Sequence, residues 1–139
     1  DGVRRSTRHS VRVEDYLEVL HELELVEGRA KPARIAESLA VARPSVTKML
    51  KRLDEEGLVD YERYRGAVLT DEGRAAAISL RERHSLLVRF LSILGVDEDT
   101  AHTDTEGIEH HLHETTLDAL RALVEKAESD PDWWSARNE

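Results

Sequence analysis

Two short helices joined by a tight turn, with a hairpin directly after them, are the pattern that most restricts how this chain can fold. The first helix is predicted over residues 32–39, where Pro32 suits a first-turn position. The second begins at Pro44, is apolar along one side and ends before Gly57. Two helices this close in sequence are typical of a helix-turn-helix.

The hairpin is predicted from the short β-type runs 58–59 and 67–69, which flank the polar tip 62–66. With the two helices it makes a winged helix-turn-helix, in which an exposed helix enters the major groove of DNA and the hairpin tip reaches the backbone or the minor groove. A basic face used for protein contact is the alternative. The residues expected to face DNA are Arg43, Pro44, Ser45, Thr47, Lys48, Lys51, Arg52, Arg63, Tyr64 and Arg65.

Charge is divided unevenly along the chain of 139 residues, which carries 20 Lys and Arg against 29 Asp and Glu, a net charge of −9. Residues 1–70 hold 13 basic and 13 acidic side chains, whereas residues 71–139 hold 7 and 16. This division suggests one surface for an anion and another for a cation, with ordinary surface charge as the alternative. The absence of Cys excludes disulfides and thiolate metal sites and favours a cytoplasmic setting.

The rest of the chain is predicted to be mainly helical from its apolar spacing. No run approaches the roughly 18 apolar residues that a membrane helix needs. Residues 1–12 are expected to form a flexible basic arm, and residues 129–139 a tail without assigned structure. The further helices are predicted at 13–28, 71–94, 97–113 and 115–128.

A second group of side chains has the chemistry of a metal site. His84 falls on the apolar stripe of the long helix, where an imidazole needs a partner. Each element alone also fits a solvated acidic face or a hydrogen-bonded core histidine. Four carboxylates and two imidazoles together would be a costly concentration of charge without a cation, and these donors suit Mn²⁺, or Fe²⁺ less well. The candidate ligands are Asp15, Glu18, His84, Glu106, Glu109 and His110.

Together these features resemble the diphtheria toxin repressor family. The resemblance covers about residues 13–126 and rests on Asp15-x-x-Glu18 and the segments SVTKMLKRLDEEGLV, YRGAVLT, RERH and EGIEHHL. It implies a homodimeric, metal-dependent repressor whose two domains share a two-metal site. The ligands of manganese-sensing members match the six candidates, whereas iron-sensing members have Met where Asp15 stands and Cys where Glu106 stands.

The resulting expectation is a mainly α fold, with an N-terminal winged helix-turn-helix domain (13–70) and a C-terminal helical dimerisation domain (71–128). The expected cofactor is Mn²⁺, one or two ions per subunit, with Fe²⁺, Zn²⁺, Cd²⁺ or Co²⁺ as substitutes. The expected partners are a palindromic DNA operator, which controls metal-uptake genes, and a second copy of the chain, with no membrane. The apolar positions expected at the dimer interface are Ile108, Leu112, Leu117, Leu120, Leu123 and Val124.

Three alternatives to a manganese-dependent regulator stay open at this point. An iron-responsive regulator of the same family would share the fold. A winged-helix regulator that responds to a small organic effector would leave the acidic cluster as mere surface. A di-metal carboxylate enzyme would need two Glu-x-x-His motifs on a four-helix bundle, and the winged-helix segment would then be unexplained. We therefore expect a regulator and not an enzyme.

Overall fold

The computed structural model describes residues 12–137, which form seven helices and one hairpin within that range. The chain divides into two compact units, the N-terminal unit up to Leu80 and the C-terminal unit from Arg81 onward. The mainly α fold is confirmed, and the first half contains the two predicted central helices followed by the hairpin. Residues 1–11 of the predicted arm lie outside the described residues. The elements are α1 (Val13–Glu27), α2 (Pro32–Leu39), α3 (Arg43–Glu55), β1 (Val59–Glu62), β2 (Gly66–Leu69), α4 (Asp71–Ile93), α5 (Glu98–Ile108), α6 (Glu114–Ser129) and α7 (Pro131–Arg137).

The N-terminal unit is built on one apolar core to which every helix and strand of the unit contributes. In α1 and α3 the buried side chains recur at three- or four-residue spacing, which places them on one side of each helix. The hairpin closes the core with β1 antiparallel to β2, Val59 opposite Leu69. The largest fully buried side chains of this core are Leu20, Ile35, Leu50, Leu53 and Val46.

Polar contacts fix the hairpin to the helices on both sides. The backbone N–H of Tyr61 donates to the Asp54 carboxylate at 2.8 Å, at the end of α3. The N–H of Leu69 donates to Glu24 of α1 at 3.1 Å, and the same carboxylate is paired with Arg74. Because these bonds satisfy backbone groups at both strands, they set where the hairpin lies on the helices.

The C-terminal unit has a smaller apolar core, in which Leu86 and Leu87 of α4 pack with Leu117 and Val124 of α6. Leu94 is 51% exposed because it lies beyond the end of α4, next to the glycine that stops the helix.

The predicted helix over residues 97–113 was wrong at its C-terminal end. Asp97 caps α5 through a bond from the N–H of Thr100 at 3.0 Å, and this bond lowers the pKa of the Asp97 carboxyl. The helix ends at Ile108, after the helix-weakening Gly107, and the N–H of His111 then closes a tight turn onto the Ile108 carbonyl. Glu109 and His110 therefore lie in a turn and not in a helix interior.

Residues 131–137 of the tail, for which the sequence predicted no structure, form the short helix α7. The indole Nε1–H of Trp134 donates to the Ile93 carbonyl at 3.1 Å, one of the carbonyls left open at the end of α4. Lys126 of α6 lies 5.5 Å from the centroid of the Trp133 ring. The tail thus packs within the C-terminal unit. None of the helices in residues 12–137 combines the length and the apolar character that a membrane span requires.

Candidate nucleic-acid interface and metal centre

One side of α3 is basic and exposed because its other side is needed for the core. Val46, Leu50 and Leu53 take the buried positions. The intervening positions face solvent, and they include Lys48 and Lys51. Predicted DNA-facing residues in α3 that are exposed in this way are Arg43, Pro44, Ser45, Lys48, Lys51 and Arg52, while Thr47 is half-buried.

The hairpin tip, which we call the wing, adds a second basic surface. Tyr64 is 86% exposed, and the guanidinium of Arg63 lies 5.3 Å from its ring centroid. Arg65 is paired with Glu62 at 3.0 Å. An exposed aromatic ring beside two guanidinium groups is suited to contact a phosphate backbone and the sugars or bases next to it.

A cleft of about 510 Å³ separates α3 from the wing, and cationic side chains enter it from both sides. Five of the predicted DNA-facing residues line it, together with Pro32, which the sequence had assigned only to a helix start, and Tyr61, to which it had assigned no role. Neither gave a signal of its own, because only the fold brings α2 and β1 to this cleft. The lining residues are Pro32, Arg43, Thr47, Lys51, Tyr61, Arg63 and Tyr64.

A buried carboxylate, Glu109, is the centre of the polar cluster in the C-terminal unit. Glu109 occupies the C-cap position of α5, and only 2% of the residue is exposed. Nδ1–H of His84 donates to Oε2 of Glu109 at 2.7 Å, and Nε2 of His110 lies 3.8 Å from Oε1. His84 keeps 26% of its side chain exposed, so the imidazole is less buried than its apolar stripe predicted.

Two further side chains border this cluster, and the sequence prediction missed both. Nη1–H of Arg83 donates to the Glu109 carbonyl at 2.9 Å, and its Nη2 pairs with Glu114 at 3.0 Å. Nδ1 of His102, an exposed residue, lies 3.3 Å from Nε2 of His84. The signal for His102 was its i, i+4 and i+7 spacing with Glu106 and Glu109.

The structure brings together only part of the predicted ligand set. Glu109 contacts both His84 and His110, whereas Glu106 is exposed. Asp15 and Glu18 belong to the N-terminal unit, where Oδ2 of Asp15 accepts the N–H of Arg12 at 2.8 Å and completes a capping box at the start of α1. Among residues 12–137, no three His, Asp or Glu side chains form a ready-made metal site.

The chemistry of the cluster nevertheless fits a hard divalent cation. A carboxylate almost entirely removed from water is costly unless its charge is compensated, and the partners within reach are two imidazoles. Carboxylate oxygen and imidazole nitrogen, with no Cys anywhere in the sequence, are the donors that manganese and similar ions accept.

The fold and the two basic surfaces define the class, which is the winged helix-turn-helix transcriptional regulators. Comparison with known proteins gives the family. Residues 9–67 match the model "Iron dependent repressor, N-terminal DNA binding domain" and residues 70–133 match "Iron dependent repressor, metal binding and dimerisation domain". The chain belongs to this iron-dependent repressor family, which is also that of the diphtheria toxin repressor. It is therefore a regulator and not an enzyme, as the sequence predicted.

Relatives and solved structures of similar proteins agree with this assignment. The chain is 46% identical over 118 residues to the HTH-type transcriptional regulator MntR of Bacillus subtilis (strain 168), covering 85% of the chain and 83% of that regulator. It is 43% identical over 120 residues to MntR of Lysinibacillus sphaericus (strain C3-41), covering 86% of each. The manganese regulator SloR matches with a TM-score of 0.72 and 30% identity over 84% of this chain. The chain spans only 55% of the SloR chain.

Proposed function

We propose that this protein is a manganese-responsive repressor of metal-uptake genes that binds a palindromic operator as a homodimer. The observation that carries the proposal is the buried Glu109 carboxylate between two imidazoles, in a chain that offers oxygen and nitrogen donors and no thiolate. MntR regulators of this similarity, SloR, and a structure described as a manganese-dependent transcriptional repressor in complex with manganese (29% identity, TM-score 0.67) support manganese as the ion. Iron, zinc, cadmium and cobalt are the ions to compare with it.

The proposed ligands are the six that the sequence predicted. Glu109, His84 and His110 lie in one cluster, and Glu106 follows from its place on α5. Asp15 and Glu18 lie three residues apart on α1, so both carboxylates project from one side of that helix. A bound divalent cation would supply the positive charge that neutralises these carboxylates.

Residues of this chain prepare the site before any ion is present. Arg83 holds the carbonyl of Glu109, which fixes the turn that carries Glu109 and His110. Nδ1–H of His84 is directed at the Glu109 carboxylate, which orients both side chains. A ligand turn held in this way needs little rearrangement, which favours binding.

The residues that we propose to contact DNA are the ten of α3 and the wing predicted above, within a DNA-binding domain of residues 13–70. Lys and Arg side chains would neutralise phosphates, while the start of α3 would reach base edges. Because such a regulator binds chromosomal DNA, we propose a cytoplasmic location for the protein. Two copies would present two such surfaces to the half-sites of a palindrome.

The proposed dimer surface lies in residues 71–128 and is smaller than the sequence predicted. Leu117 and Val124 are 2% and 0% exposed because they fill the core of their own unit, so they have no surface left for a partner. Ile108 is 40% exposed, and the remaining three are half-buried. The positions that stay in the proposal are Ile108, Leu112, Leu120 and Leu123.

Titration calorimetry with Mn²⁺ tests the metal assignment. We expect Glu109→Gln to weaken Mn²⁺ binding by about 100-fold, since it removes the central charge, and the exposed Glu125→Gln on α6 to leave binding unchanged. The double variant Asp15→Asn with Glu18→Gln tests whether α1 contributes ligands to the Mn²⁺ site. Equal affinity of the wild type and Glu109→Gln would contradict the site.

A further inference from the structure

Arg29, in the loop between α1 and α2, is attached to the wing by three polar contacts. Its Nε–H donates to the carbonyl of Arg65 at 3.0 Å, and its Nη2–H donates to the carbonyl of Gly66 at 3.2 Å. The same Nη2 lies 3.5 Å from the Glu62 carboxylate. One guanidinium thus binds both ends of the hairpin tip, through two adjacent carbonyls at its C-terminal end and the Glu62 carboxylate at its N-terminal end.

The backbone next to Arg29 holds the wing as well. Ala30 and Ala67 form an isolated antiparallel bridge, with N–H···O distances of 2.9 and 2.8 Å in the two directions. Gly66 has φ +96°, and a Cβ at this position would come within 2.6 Å of the Ala30 carbonyl oxygen. The loop and the second strand are therefore in such close contact that only glycine fits between them.

The contacts also decide how much positive charge the wing can offer to DNA. Glu62 lies between Arg29 and Arg65, with side-chain N···O distances of 3.5 and 3.0 Å. When one guanidinium neutralises this carboxylate, the other is less strongly held by it. Arg29 is only 29% exposed and Arg65 is 68% exposed, so Arg65 is the one that a phosphate can reach.

We propose that Arg29 is a positioning residue for DNA binding: it holds the wing tip in place and neutralises Glu62, which leaves Arg65 available to a phosphate. The inference rests on the proposed function in one respect, namely that the wing contacts DNA. Arg29 itself needs no DNA contact. None of the ten residues predicted to face DNA has this role.

Two substitutions separate positioning from charge. Arg29→Gln removes both the charge and the forked donor, whereas Arg29→Lys keeps the charge but cannot reach both carbonyls together. The matched control is Arg34→Gln on α2, which loses an arginine paired with Glu27 and Glu37 and not with the wing. The probe is a duplex that the Mn²⁺-loaded wild type selects from a randomised pool.

In the absence of DNA, we expect both Arg29 variants to speed amide hydrogen exchange in residues 62–67 by about tenfold, because the bonds that hold the tip are lost. Arg34→Gln should leave these rates unchanged. Unchanged exchange in Arg29→Gln would show that Arg29 does not hold the wing, and this readout needs no operator.

With the selected duplex, we expect Arg29→Gln to weaken binding by about tenfold and Arg29→Lys by nearly as much, with loss of the hydroxyl-radical protection under the wing alone. In an Arg65→Gln background, Arg29→Gln should then have little further effect, since both changes act through the same contact. If Arg29→Lys binds the duplex as tightly as the wild type, or if the losses of affinity add up in the double variant, Arg29 would instead be a direct phosphate contact. Either result would overturn the proposal. A wild type that selects no duplex would show that the proposed function itself has failed.

Discussion

The two units of this chain differ in what fills their interiors. The N-terminal unit has a continuous apolar core, and its charges lie on the surface of α3 and the wing. The C-terminal unit has a smaller apolar core and also buries a carboxylate, Glu109, beside two imidazoles. A buried charge is a poor way to stabilise a fold and a common way to bind a cation. This difference supports the proposal that DNA binds to the surface of the N-terminal unit and that a cation binds in the C-terminal unit.

The largest expected effect concerns the N-terminal core. Leu50 is fully buried at the centre of α3, so Leu50→Ala should lower the free energy of unfolding by about 3 kcal/mol through lost contacts and a cavity. The half-buried Leu120 of α6 provides the comparison, and Leu120→Ala should cost less than half as much. Urea unfolding measures both. Equal losses would mean that the two cores do not differ as described.

The next effect concerns the C-terminal unit. At a free Mn²⁺ concentration of 100 times Kd, the wild type should gain about 2.7 kcal/mol of stability, because the ion binds only the folded chain. Thermal unfolding with Mn²⁺ and with a chelator measures this gain. Glu109→Gln should lose most of it, while Glu125→Gln should keep it. A gain that survives in Glu109→Gln would place the ion elsewhere.

A smaller effect separates the two functions. Lys48 is exposed on the basic side of α3, and Lys48→Ala should weaken binding of a selected duplex by roughly tenfold and lower the slope of log K against log salt by about 0.9. Fluorescence anisotropy over a range of salt concentrations measures both, and calorimetry should show unchanged Mn²⁺ binding. Lys126→Ala in the C-terminal unit is the matched control. An unchanged salt slope in Lys48→Ala would remove Lys48 from the phosphate contacts.

The smallest effect is a pH dependence within the C-terminal unit. The guanidinium of Arg89 donates two hydrogen bonds to Glu128, at 3.1 and 2.6 Å, and lowers the pKa of that carboxyl below its ordinary value of 4.5. Because the folded-state pKa is lowered, the pair stabilises the fold above the unfolded-state pKa, and this contribution is lost as the pH falls through the folded-state value.

Both side chains of this pair are more than two-fifths exposed, so solvent limits the contribution to about 0.3 kcal/mol. Urea unfolding from about pH 6 down to pH 3 should show a slightly flatter acid limb in Arg89→Gln than in the wild type. Identical curves would mean that the pair contributes nothing measurable.

Most of the fold could be predicted because periodicity and helix-breaking residues are local signals. Pro32, Pro44 and Gly57 marked the two central helices, and the polar tip 62–66 marked the hairpin. The end of α5 could not be predicted in this way. There the apolar spacing continues, but Gly107 and the tight turn onto Ile108 stop the helix.

Part of the candidate site could be predicted from signals within single stretches of sequence. Glu109 and His110 were found from their spacing, and the basic residues of α3 from their clustering. Arg83 and Arg29 act through backbone carbonyls that lie 26 to 37 residues away, and such contacts leave no pattern in the sequence. His102 did leave one, but an exposed histidine is usually a surface residue, and only its 3.3 Å approach to His84 distinguishes it.

Selection from a randomised pool of DNA duplexes, carried out in parallel with Mn²⁺ and with a chelator, tests the central claim most directly. If an ion in the C-terminal unit controls DNA binding by the N-terminal unit, a palindromic sequence should be enriched in Mn²⁺ alone, and Glu109→Gln should enrich none under either condition. Equal enrichment of the same sequence with the chelator would contradict metal control, even though the chain would still be a DNA-binding regulator.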